Sequence, residues 1–135
     1  FAKSCSVSPE APRYQVVLRY TAPGSDLRND MQMFFNSFSC PRVDRGGTGM
    51  NARGMVIQPV LNLATSQREL RLRSEDPLDQ PQLDYHLLDE AFDRERMLHA
   101  MRLGAELGRH DGFAEFVSGD TNPGQEVLES DAALD

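Results

Sequence analysis

No run in this chain approaches the ~20 consecutive apolar residues that a helical bilayer span requires, so no membrane span is expected. Cysteine is nearly missing. Cys5 and Cys40 form no Cys-x-x-Cys pair and have no nearby pair of histidines, so their spacing suggests neither a zinc site nor a dithiol redox motif. Two free thiols in a reducing cytoplasm are the expectation. Lysine is reduced to Lys3, with arginine supplying the rest of the 14 basic side chains, a usage that hints at a GC-rich bacterial genome. Against 21 acidic side chains these leave a formal charge of -7, which argues against a nucleic-acid partner, because phosphate binding calls for a basic surface. Also absent are Gly-x-Ser-x-Gly, His-Glu-x-x-His and a calcium-loop pattern. His86, His99 and His110 stand without a reacting or orienting neighbour in sequence, and their expected roles are a hydrogen bond, a surface position and a helix end, respectively. Neither a catalytic residue nor a metal ligand is expected.

The 135 residues are one domain's worth of chain, able to hide roughly two-thirds of the unfolded surface. Apolar content of 39% with 26% charged residues places it in the soluble globular class. The chain opens at Phe1 without methionine or a charged-then-apolar leader, as expected of a processed or excised piece.

Residues 1-12 are Ser- and Pro-rich and read as an irregular lead-in. Period-two patterning predicts a strand at 14-20, with Tyr14, Val16, Leu18 and Tyr20 on one face, and then a Pro23-Gly24 turn. A second strand at 31-38 divides its side chains: Met31, Met33 and Phe35 face a core, while Gln32, Phe34, Asn36 and Phe38 mix amide and aromatic groups on the other side. Such a mixture suits a small molecule or another domain. The Gly-rich stretch from Ser39 to Gly54 is a loop without a phosphate-cradle pattern.

A third strand is predicted at 55-63, bulged or at an edge because Pro59 removes a donor. Its hairpin partner is predicted at 69-73, with Leu70 and Leu72 inward. Asp76-Pro77 and Pro81 lead to an extended arm bearing Leu83, Tyr85 and Leu87. Asp93 is the expected N-cap of a helix at 93-108 whose stripe is Met97, Leu98, Met101, Ala105 and Gly108, ended by Gly108 and Arg109. Phe113 and Phe116 are expected to anchor the chain beyond it. Residues 118-135 read as an acidic, irregular end with the start of a helix after Ser130. The predicted class is α+β: one antiparallel sheet with the helix packed on one face, within a single domain spanning 1-135.

The stretch from Ser66 to Asp93 carries a resemblance. Ser66-Gln67-Arg68, the alternating strand, Asp76-Pro77, Pro81, Asp84-Tyr85 and Asp93 follow in an order that resembles the C-terminal part of the glucose-methanol-choline flavoprotein oxidoreductases. The family's Ser-Arg-Gly turn has lost its glycine here. The resemblance covers most of the chain, best from Met31 to Arg109. It implies the substrate-binding domain that roofs the flavin, in a parent that oxidises an alcohol by hydride transfer to FAD. The family's dinucleotide-binding glycines and its catalytic histidine motif are not in this sequence, so the chain alone is expected to be inactive, with the FAD-binding domain of the same parent as its partner. Asp30-Met31-Gln32-Met33-Phe34-Phe35 stands where the family commonly has Asp-x-Gln-x-His-Phe, which places Phe34 at an often-histidine position and implies an apolar substrate contact. The implied substrate-binding residues are Gln32, Phe34 and Asn36. The alternative is a non-enzymatic binding module that holds an apolar ligand or partner on the Phe34 and Phe38 face.

Overall fold

The computed structural model describes residues 12, 14-36, 55-115, 117 and 123-134. Expectations for Cys5, Cys40, the Gly-rich loop, Phe38 and Phe116 lie outside the described residues.

Strands β1 (Tyr14–Tyr20), β2 (Met31–Asn36) and β3 (Val56–Leu61) form an antiparallel sheet in the order β1-β2-β3. Between β1 and β2, Ala22, Pro23, Gly24 and Ser25 make a tight turn closed by Ser25 N–H donating to the Ala22 carbonyl at 3.1 Å. Gly24, at φ 74°, takes the left-handed position that glycine adopts without penalty. Pro59 lies on edge strand β3, where a missing N–H costs no ladder bond.

One long helix, α1 (Ala91–Arg109), covers one face of this sheet, which bears out the α+β class. Met31 and Met33 are fully buried with Ala22 and Ala100, and Leu18, Tyr20, Phe35, Ile57, Leu61, Leu103 and Leu107 pack around them. The helix approaches closely because two of its residues lack side chains. A Cβ on Gly104 would lie 3.4 Å from Ile57 Cγ2, and one on Gly108 would lie 3.7 Å from Ile57 Cδ1. Beyond α1, Phe113 in the 3-10 turn Asp111–Phe113 stacks on Phe35 with centroids 6.3 Å apart, an anchor as expected.

Several details differ from the sequence reading. The fourth strand does not join the sheet: β4 (Glu69–Arg71) pairs with β5 (Gln82–Asp84) in a separate two-stranded ribbon, and β3 is left at the edge of the larger sheet. Leu70 and Leu72 accordingly face solvent instead of a core. In β1 an irregularity between Tyr14 and Val16 pairs them with Asn36 and Phe35, which takes Tyr14 off the Leu18 and Tyr20 face. The helix stripe is also rotated. Its buried positions are Asp93, Arg96, Ala100 and Gly104, a line that apolar periodicity misses because its first two members are charged. The acidic end contains two single-turn helices, α2 (Gln125–Leu128) and α3 (Asp131–Leu134), with Leu128 buried.

With so small a buried core, each large member matters. Met33→Ala is expected to cost about 2–5 kcal/mol of unfolding free energy in urea titration, through lost transfer energy and the cavity left behind.

Candidate functional site

Among the described residues, no helix covers the face of the sheet turned away from α1. Strand alternation and register bring Gln32, Phe34 and Asn36 onto it, flanked by Arg19 and Val60 beside Gln32 and by Val17 and Gln58 beside Phe34. Phe34 is half-buried, and the Tyr14 ring meets it edge to face, with centroids 5.5 Å apart. The Tyr14 hydroxyl donates to Gln58 Oε1 at 3.0 Å. The β1 irregularity thus supplies a second aromatic ring to the predicted face, where plain period-two reading had grouped Tyr14 with Leu18 and Tyr20. Asn36 is only 8% exposed. Of the three predicted residues, Gln32 and Phe34 are therefore more accessible than Asn36. The surface offers aromatic and aliphatic contact with amide groups at intervals, and can hold a flat or apolar partner while orienting a hydroxyl.

On the other side of the sheet lies a buried ionic cluster. Arg96 donates from Nη1 to Asp30 Oδ2 at 2.8 Å, and from Nη2 to Asp93 Oδ1 at 2.7 Å and to the Leu63 carbonyl at 2.9 Å. Its guanidinium also lies 4.1 Å from the centroid of the Phe92 ring. Asp30 accepts from Ala22 N–H at 2.9 Å and from the Ser25 hydroxyl at 2.7 Å. Asp93 is not the expected N-cap: Glu90 holds that position, and Asp93, two residues inside the helix, turns its carboxylate onto the 65-66 turn. It accepts from the backbone N–H and the hydroxyl of both Thr65 and Ser66 at 2.7–2.9 Å. Burial pushes both carboxyls up, but their hydrogen bonds outweigh it, and the net shift is downward from 3.8. The opposite applies to Tyr20, whose phenol is raised by burial and by the Asp30 charge, and whose hydroxyl is buried without a hydrogen-bond partner among the described residues.

The histidines do not gather into a site. His86 lies between Asp89, 2.6 Å from Nδ1, and Asp84, 3.1 Å from Nε2; both hold its pKa above 6.5. This bears out the structural hydrogen bond expected there. His99 is half-buried with its ring 6.5 Å from that of Tyr20, instead of on the surface. His110 stands at the C-terminal end of α1, as expected, and its Nδ1 lies 3.1 Å from the Gly112 nitrogen. Among the described residues, no group of three or more His, Cys, Asp or Glu is placed to hold a metal ion. A concavity of about 600 Å³ lies between the C-terminal half of α1 and α2, lined by both signs of charge. One of its cations, Arg102, is already committed to the Leu128 carbonyl and to Asp131.

The chain is similar to an oxygen-dependent choline dehydrogenase. Over 90 residues it is 29% identical to that protein from Rhizobium johnstonii, a match covering 67% of this chain and 16% of the dehydrogenase. No family model matches. The similarity is in accord with a distant relationship to the glucose-methanol-choline oxidoreductases. No helix among the described residues is long and apolar enough to cross a membrane.

Sequence reasoning missed Arg96, although a signal was available: an arginine three residues after Asp93 can share its helix face. Arg96→Ala would strand two buried carboxylates and is expected to cost about 3–5 kcal/mol in denaturant titration. Because the folded pKa values of Asp30 and Asp93 lie below 3.8, their stabilisation is complete above that pH and is lost as pH falls through the folded values. Unfolding free energy should therefore drop as pH falls below 3.8, and the part owed to Asp30, whose carboxyl Arg96 helps to hold down, should shrink in Arg96→Ala. His86 has the opposite sign. Its contribution is present below pH 6.5 and fades as pH rises through its raised folded value, which an NMR titration of the ring would locate.

Proposed function

We propose that this chain is the substrate-binding roof of an FAD-dependent alcohol oxidoreductase resembling choline dehydrogenase, acting on a CH–OH donor. The observation that carries the reading is the open face of the β1-β2-β3 sheet, where Gln32 and Phe34 stand beside the Tyr14 ring, opposite a face sealed by α1. Its support from kinship is the 90-residue similarity to a choline dehydrogenase. Phe34 and Tyr14 would exclude water above the reacting carbon, Gln32 would orient the hydroxyl, and Asn36, nearly buried, would set the edge of the pocket. A flavin, held by another domain of the same parent, supplies the hydride acceptor. The apolar and amide groups of the open face suit the cover of a flat ring. On this reading the phosphates of the dinucleotide are held by that other domain, and no chemical step is assigned to the side chains of this chain.

A second reading has one observation in its favour: Tyr14 and Val17, both substantially exposed, extend the Phe34 surface into an apolar patch. A free-standing binding module would use it for an apolar ligand or partner.

The two readings separate on purification. The 135-residue chain is expected to be colourless and inactive towards alcohols when supplied with FAD. A yellow protein that retains FAD and oxidises alcohols would overturn the roof assignment, and tight capture of an apolar ligand by this chain alone would favour the second reading. In the longer parent that the first reading implies, Phe34→Ala should raise KM for the alcohol about tenfold with the flavin spectrum unchanged.

A further inference from the structure

The β4-β5 ribbon is amphipathic, with nothing packed against its apolar side by any other strand among the described residues. Leu70 and Leu83 face each other across the ribbon and are 60% and 46% exposed. Their strand neighbours Glu69, Arg71, Gln82 and Asp84 occupy the other face, by alternation. A ribbon of two short strands is at best marginally stable in water. The outer edge of β4 has no strand partner among the described residues; the strand is short and carries two charges, but they are of opposite sign, so they repel a neighbouring strand only in some registers.

The order of those three residues is self-complementary. In an antiparallel pair of β4 strands centred on Leu70, each Glu69 stands opposite the other copy's Arg71, and Leu70 stands opposite Leu70. A parallel, in-register pair would instead set Glu69 against Glu69 and Arg71 against Arg71, which like-charge repulsion disfavours. A slip of one residue would place a charge beside Leu70 and turn the apolar sets to opposite faces. The charges are in reach of such an exchange: Arg71 Nε and Glu69 Oε1, both well exposed, already lie 2.8 Å apart within the strand.

We propose that β4 is a self-association edge, at which two copies of this chain pair antiparallel about a twofold axis through Leu70. The product is a four-stranded β5-β4-β4-β5 sheet. Its one face carries a continuous strip of Leu83, Leu70, Leu70 and Leu83, and its other carries two Glu69–Arg71 pairs across the axis. Twofold symmetry makes the contact closed, so association stops at the dimer. The inference rests on the ribbon edge alone and not on the reading of the open sheet face.

Sedimentation equilibrium of the 135-residue chain tests it. A reversible monomer–dimer equilibrium is expected. E69R alone, or R71E alone, should weaken the dimer about tenfold, because each sets like charges against each other twice across the axis. An equimolar mixture of the two variants should associate again, since the all-basic edge of one then meets the all-acidic edge of the other. Both positions are solvent-exposed, and circular dichroism should show the fold unchanged. A chain that is monomeric at every concentration overturns the proposal. So does a dimer indifferent to either reversal, or a mixture that associates no better than its components.

Discussion

The guanidinium of Arg96 ties the molecule together. It joins Asp30 at the head of β2, the carbonyl of Leu63 beyond β3, and Asp93 on the helix that covers both strands. Two carboxylates and one guanidinium leave the cluster with an excess negative charge in a buried site. That excess is tolerable because backbone N–H groups and hydroxyls from Ala22, Ser25, Thr65 and Ser66 converge on the two carboxylates. The fold thus sets its helix on the sheet through directional bonds whose geometry admits one arrangement. The apolar contacts alone, mostly methionine and alanine at the centre, would allow several.

This division of labour also separates scaffold from surface. The buried ionic cluster lies on the α1 side of the sheet, behind the core. Among the described residues the opposite face carries amides, aromatic rings, valines and Arg19, and the bond from Tyr14 to Gln58 runs along its surface. A sheet held rigidly from behind can present such a face to a partner at no further ordering cost.

Much of the framework was legible in the residues. Alternation at 14-20 and 31-38 located two strands, Pro23-Gly24 located the turn, and Met31 and Met33 were read as core because period two separates them from Gln32 and Phe34. The same alternation put Gln32, Phe34 and Asn36 together on the face opposite the core, and the structure keeps them there. What escaped was whatever depends on contacts distant in sequence. Asp93 has the chemistry of a cap, and only its spatial meeting with residues 65 and 66 shows that it serves a different turn. Arg96 reads as a solvated charge until Asp30, 66 residues away, is placed beside it. Leu70 and Leu72 alternate like core residues, and nothing local distinguishes a strand that joins the main sheet from one that forms its own ribbon. The Tyr14 to Val16 irregularity leaves no mark in composition, since either face would accept a tyrosine.

The contact between Asp93 and the 65-66 turn has a topological meaning. The Ser66 hydroxyl donates to Asp93 and also accepts, at 3.3 Å, from the N–H of Glu90, so the two ends of the intervening chain are clasped at one point. Everything from 67 to 89, the whole β4-β5 ribbon with its proline-set bend, hangs from that clasp as a closed loop. Closing a loop becomes only slowly more costly with length, by about 0.6 kcal/mol for each doubling. A change in the length of this loop would therefore alter the cost of closing it only slightly, because the clasp and not the ribbon joins it to the sheet and helix.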